Sequence, residues 1–461
     1  MSNIKEFNIE NLSDDIARIT HVDRERAKKE TTEYIWPRLD MLRSDNGDGN
    51  RYYVLEENYV ETEWKDMISV HYINTSYHVD NYVIRIHLFL IDKISENDYI
   101  GFFTLRKINE PRVMLSYIYP NWAKIKYLSK KPYVMTYKKC VHISGKEIGF
   151  HTYPLFVQDN STVACAQADI IAMSKYLHNK FDYNKIRIPD MVNSYTYQKT
   201  KIFPTNGLNA IQMLQVFDAY NIPIRYKAFK NSGNSKTPEE IDTELESFKD
   251  YINYSIESAI PVLLGISLDD DGKSRKHVVQ IIGHVRQSRD SYVIYDDSGV
   301  FLKNVASKVG FVGVVKWNQL KNIIASKTSF IICPIHEKVY LYHEDIVKRL
   351  TNQIQNVENL KNIIDDSTID KIRYMLVDNR QVKSFLSDIK DNTDIKSVRD
   401  ELSMVLMHSM PHYVWYCEIP LQSGYFIYIA DPTYNRATLG DIFLNDIPIY
   451  SEKQLALLNY K

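Results

Sequence analysis

A cysteine, a histidine and a pair of aspartates have the types and order that nucleophilic chemistry requires. Cys165 stands in FVQDNSTVACAQADIIAMSKYL, at the first turn of a predicted helix. A thiol there faces the positive end of the helix dipole and unpaired backbone N–H groups, and both favour the nucleophilic thiolate. A free cysteine is more often a small buried hydrophobe, and position alone does not separate the two readings. His277 follows the charged segment DDDGKSRK and precedes the apolar run VVQIIG, which places an imidazole at the mouth of a predicted strand. From there it can take the thiol proton and later give it to a leaving amine. The next predicted strand ends in YDDSG (295–299), where a carboxylate returning beside the histidine would fix its tautomer. Alternation along a strand sends Asp296 and Asp297 to opposite faces, so only one of them can serve.

The elements that must hold these residues are also legible. Ser161 or Thr162 is the predicted cap of a helix that carries Ala166, Ile170, Met173 and Leu177 on one stripe. A second helix is expected from about Leu208 to Tyr220, followed by a short strand in NIPIRY. Thr237, Pro238 and Glu240 have the spacing of a capping box that opens a third helix. Three strands are predicted at 260–268, 277–285 and 291–297, the last two forming an antiparallel hairpin around RQSRD. Between residues 150 and 335 the layout is helices first and sheet second, an α+β arrangement.

On either side the pattern changes. Residues 1 to about 45 are charged and helix-compatible, and SDNGDGN (44–50) reads as a turn or linker. From Arg51 to Gly149 short β-branched and aromatic runs dominate, among them YVIRIHLFLI, YIGFFTLRKI and YVMTYKKCVHI. Beyond His336 the chain is predicted helical through residue 408, then strand-like at 412–419 and 425–432. Three regions are therefore expected: 1–149, helix plus β-rich; 150–335, the region bearing the candidate residues; and 336–461, an α+β extension.

Composition narrows the chemistry. With 461 residues, 44% hydrophobic and 25% charged, the chain has the make-up of a globular protein of two or three domains. Lys plus Arg number 57 against 58 for Asp plus Glu, so the basic surplus of a nucleic-acid binder is missing. The phosphate-binding patterns GxGxxG and GxxxxGK[ST] and the serine elbow GxSxG do not occur. Neither HExxH nor a CxxC pair occurs, so no metal site and no cofactor is expected. Cys140, Cys333 and Cys417 lie in strand-like apolar runs and read as core. The N-terminal residues show no secretory apolar stretch and no window has the length and apolarity of a membrane span, from which a cytoplasmic setting without membrane contact is expected. His412 and Asp431 repeat the spacing of His277 and Asp296, but no cysteine at a helix start precedes them, and the repeat reads as coincidence.

Cysteine at a helix start, histidine at a strand start and aspartate at the next strand end is an order that resembles papain-like cysteine peptidases. HVVQIIGHV followed by SYVIYDDSG is closer to their C39-like branch, and the resemblance covers roughly residues 150–335. It implies a papain-like core, with an N-terminal helix carrying the cysteine and an antiparallel sheet carrying the histidine and aspartate. It also implies hydrolysis of an amide bond in a protein or peptide substrate through Cys165, His277 and Asp296. Asp296 falls where these enzymes carry the orienting Asn or Asp. Their oxyanion-binding glutamine stands six residues before the nucleophile, whereas here Gln158 stands seven before Cys165 and the sixth position is Asp159. The residue after the nucleophile is Ala166, not the usual Gly or Trp. The same residues also fit a catalytically inert binding or scaffold module, or a cysteine-dependent acyltransferase of transglutaminase-like type. Oligomeric state is not readable from the sequence.

Overall fold

Alternating hydrophobic strands and amphipathic helices assemble into two compact units, one of Met1–Ile241 with Pro261–Ile332 and one of Asp242–Ile260 with Cys333–Lys461. The computed structural model describes residues 4–36, 51–70, 79–108, 112–118, 132–158, 163–194, 207–229, 236–270, 273–285, 288–306, 311–326, 328–356, 364, 372–421, 424–433 and 438–445. The protein is mixed helix and sheet, as the α+β reading has it. The turn expected at 44–50 lies outside the described residues.

The first unit opens with the helices α1 (Ile9–Thr20) and α2 (Arg24–Glu30), capped by the side chains of Asn8 and Asp23. Its first sheet contains β1 (Lys5–Glu6), β2 (Tyr52–Tyr59), β3 (Val83–Phe89), β4 (Tyr99–Arg106) and β5 (Val113–Ile118). The chain then forms β6 (Pro132–Val134), β7 (Tyr137–Ile143) and β8 (Lys146–Phe156), giving the order β1-β2-β3-β4-β5-β8-β7. Strands β3 to β5 are buried on both faces, which is why their sequences are continuous hydrophobic runs. The helix α3 (Thr62–Val70) interrupts the region read as β. The boundary expected at 149/150 falls inside β8, and the residues on both sides of it belong to this one unit. Cys140, expected in the core, is exposed: β7 is an edge strand and alternates Tyr137, Val141 and Ile143 inward with Lys138, Cys140 and His142 outward.

After β8 the chain forms α4 (Cys165–Phe181), α5 (Ile188–Ser194), α6 (Ala210–Ala219), β9 (Ile224–Phe229) and α7 (Pro238–Glu257). The second sheet follows with β10 (Val262–Asp270), β11 (Lys273–Val285), β12 (Ser288–Tyr295), β13 (Val312–Lys316) and β14 (Ser329–Pro334). Helices α8 (Val300–Ala306) and α9 (Trp317–Ser326) lie between its last strands in sequence. The order is β13-β12-β11-β10-β14-β9, and β6 also pairs with β11. The expected hairpin is present, with Gln280 opposite Tyr295 and Ile281 opposite Ile294. The expected capping box is present too: Glu240 N donates to Thr237 Oγ1 and Thr237 N donates to Glu240 Oε2.

Helix α4 packs on β8 of the first sheet and on β11 of the second, and from Ala166 to Leu177 every residue is buried. A helix covered on all sides needs no polar face, which accounts for its broad apolar surface in place of the single expected stripe.

The second unit holds an antiparallel sheet of β15 (Arg373–Asp378), β16 (Tyr413–Leu421), β17 (Gly424–Ala430) and β18 (Thr438–Asn445). Helices α10 (His343–Asn356), Asn379–Asn392 and Lys396–Met407 belong to it, and Phe385, Leu386 and Leu402 share a core with Met375, Tyr416 and Ile427. Strand β15 lies within the stretch expected to be helical to residue 408; RYMLVD is six residues long, too short to show a period against its helical flanks.

Candidate active site

Cys165 is the first residue of α4 and is half-buried. Ser161 and Thr162, the expected caps, lie outside the described residues. Ala164 occupies the N-cap position and offers no side-chain oxygen, while the buried Gln167 turns back to accept the Ala164 N–H through Oε1 at 2.7 Å. The cysteine therefore sits where the helix leaves its first N–H groups unpaired by the helix itself.

His277 lies inside β11 and not at its mouth, because β10 and β11 stay paired through the charged segment that precedes it, with Ile266 opposite His277 and Asp270 opposite Lys273. Arg275 and Lys276 remain exposed while His277 is buried. Its Nε2 is 2.9 Å from Asp296 Oδ1. An ionised carboxylate only accepts, so Nε2 donates and Nδ1 is left for the thiol. Burial opposes a charge on His277, but hydrogen bonds with Asp296 and with Cys165, and the charges of both, outweigh it and hold its pKa well above the ordinary 6.5.

Asp296 is fully buried and fully engaged. Its Oδ1 also accepts from Ser298 N at 3.2 Å and Ser298 Oγ at 3.1 Å, and its Oδ2 accepts from Leu302 N at 3.0 Å. Burial pushes its pKa up, yet His277 and these donors bring it below the ordinary 3.8. Asp297 does not point away as strand alternation requires: its Oδ1 is 4.0 Å from His277 Nε2. Strand β12 ends at Tyr295, and the alternation ends with it. His277, Asp296 and Asp297 thus present donor atoms within 4.8 Å of one another, a cation-sized grouping that no sequence spacing announced. Within it, Nε2 and Oδ1 are already bonded to each other.

Gln158 lies two residues past β8 and is half-buried. Residues 159–162, which connect it to the start of α4, are outside the described residues. His412 bonds Asp378 Oδ2 at 3.0 Å, while Asp431 accepts from Thr433, so the repeated spacing at 412–431 brings no pair together. Sequence reasoning passed over Ser298, although Asp-x-Ser is the pattern of an Asx turn. It also passed over Asp169 and Gln280, both buried beside the cluster; Asp169 lies four residues after Cys165, on the same helical face.

No protein-family model matches the chain. No curated protein matches it either.

Proposed function

We propose that the chain is a cysteine peptidase with a papain-like core, acting in the cytoplasm on an amide bond of a protein or peptide substrate. The observation that carries this reading is the 2.9 Å bond from His277 Nε2 to Asp296, which leaves the other ring nitrogen for the thiol at the N-terminus of α4. Asp296 fixes the tautomer and supports the imidazolium that forms when the thiol loses its proton. The Cys165 thiolate attacks the substrate carbonyl, and the oxyanion is met by the Cys165 backbone N–H and the side chain of Gln158. His277 then protonates the leaving amine, and water, with His277 as base, releases the acyl group. No helix among the described residues is long and apolar enough to cross a membrane, which is compatible with that setting.

The test is site-resolved alkylation. Limiting iodoacetamide at about pH 6 leaves an ordinary thiol largely protonated and slow. Cys165 is expected to label ahead of the exposed Cys140, and His277→Ala to abolish the preference. Equal, slow labelling of both would remove the peptidase reading in favour of an inert binding module. A product joined to an added amine, in place of hydrolysis, would make the enzyme an acyltransferase.

A further inference from the structure

One turn along α4 from Cys165, the wholly buried Asp169 accepts a 2.9 Å hydrogen bond at Oδ1 from Gln280 Nε2. The same nitrogen donates to the Asp169 backbone carbonyl at 3.0 Å. Gln280 stands on β11, three residues beyond His277, and its Oε1 accepts from the Tyr153 hydroxyl of β8 at 2.6 Å. Gln280 and Tyr153 are buried as well. Apolar packing already holds α4 to β8 and β11, and such packing is non-directional. A buried amide with fixed partners adds direction: it sets one turn of the helix against one residue of the strand.

Cys165 is four residues before Asp169, and His277 three before Gln280. A slide of α4 along β11 would therefore carry the thiol away from the imidazole, and a displacement of about 1 Å costs about a hundredfold in a reaction that needs both. We infer that Tyr153, Gln280 and Asp169 are positioning residues that set the placement of Cys165 against His277, an inference that rests on the thiol–imidazole reading above. Burial and the neighbouring Asp297 carboxylate raise the Asp169 pKa well above 3.8, against the Gln280 hydrogen bond. Asparagine keeps the side-chain oxygen that Gln280 donates to and is the closest substitute in shape.

The experiment measures two quantities on the full chain: the rate of Cys165 alkylation relative to Cys140 across pH, and the melting temperature. Asp169→Leu and Gln280→Leu are each expected to slow Cys165 by about tenfold or more, while Asp169→Asn keeps the wild-type rate and pH profile. The triple variant Tyr153→Phe/Asp169→Leu/Gln280→Leu removes all three polar partners together, so melting temperature should recover toward wild type while alkylation stays slow. If the triple variant recovers both, the clamp is structural only and the inference falls. It falls equally if either single variant labels Cys165 at the wild-type rate, or if Asp169→Asn is as slow as Asp169→Leu. Failure of the peptidase reading looks different: wild-type Cys165 would then label no faster than Cys140 before any clamp residue is changed.

Discussion

At the scale of residues, the proposed peptidase reading divides labour between groups that move protons and groups that hold them in place. Cys165→Ala and His277→Ala are each expected to abolish activity, and Asp296→Ala to reduce it by about a hundred- to ten-thousandfold, because it orients and does not transfer. Asp297→Ala should act more weakly than Asp296→Ala, since Asp296 makes the 2.9 Å bond and Asp297 stands at 4.0 Å. Alkylation of Cys165 reads the three variants that keep the thiol, and an Asp297 effect larger than that of Asp296 would reverse the assignment. The pair also makes folding pH-dependent. His277 is raised above 6.5 when folded, so its contribution is complete below about that pH and is lost as pH climbs through the folded value. Asp296 is held below 3.8, so its contribution is complete above that pH and is lost as pH falls through the folded value. Both contributions are in force between those limits. Asp296→Asn is therefore expected to lower the melting temperature most at about pH 5, with the gap narrowing as the solution becomes alkaline. A gap unchanged between about pH 5 and pH 9 would contradict the pairing.

At the scale of elements, β11 is the organising strand. It pairs with β10 up to Ile281, and beyond that point β6 takes the pairing at Gly283, His284 and Val285. A Cβ at Gly283 would stand 1.9 Å from the Tyr133 backbone oxygen, and backbone cannot swing aside as a side chain can. Glycine is what lets a short strand from the N-terminal β-rich segment join the sheet that carries His277. Gly283→Ala is expected to cost about 1–3 kcal/mol of stability, the range for overpacking. Chemical denaturation measures it, and a loss under about 0.5 kcal/mol, the ordinary surface value, would mean β6 is dispensable.

At the scale of the whole molecule, the chain order and the spatial units do not coincide. Asp242–Ile260, most of it the greater part of α7, belongs to the second unit although the strands that follow it belong to the first. Within the second unit Arg373 is buried between Glu257 of α7 and Glu418 of β16, at 2.7 Å from each. This ion triad ties the two sequence segments of the unit together. Arg373→Met leaves two buried carboxylates without a cation and is expected to cost about 3–5 kcal/mol. Replacing Glu257, Arg373 and Glu418 together by apolar residues should restore most of that loss, and equal stability of the single and triple variants would show that charge compensation is not what Arg373 supplies.

The sequence by itself determined the elements whose signals are local. The capping box at Thr237 and Glu240 and the hairpin around RQSRD need only a few adjacent residues to be specified, and both are present. The order of Cys165, His277 and Asp296 was equally readable, because residue type and strand context are properties of the chain. Tertiary structure alone decided the rest. Asp297 reaches the imidazole because the strand stops at Tyr295, two residues before its expected end, Ala164 caps α4 through a side chain three residues on, and Asp169 meets Gln280 across 111 positions. Contacts between distant segments depend on how layers stack, and one-dimensional periodicity carries no record of which helix turn will face which strand.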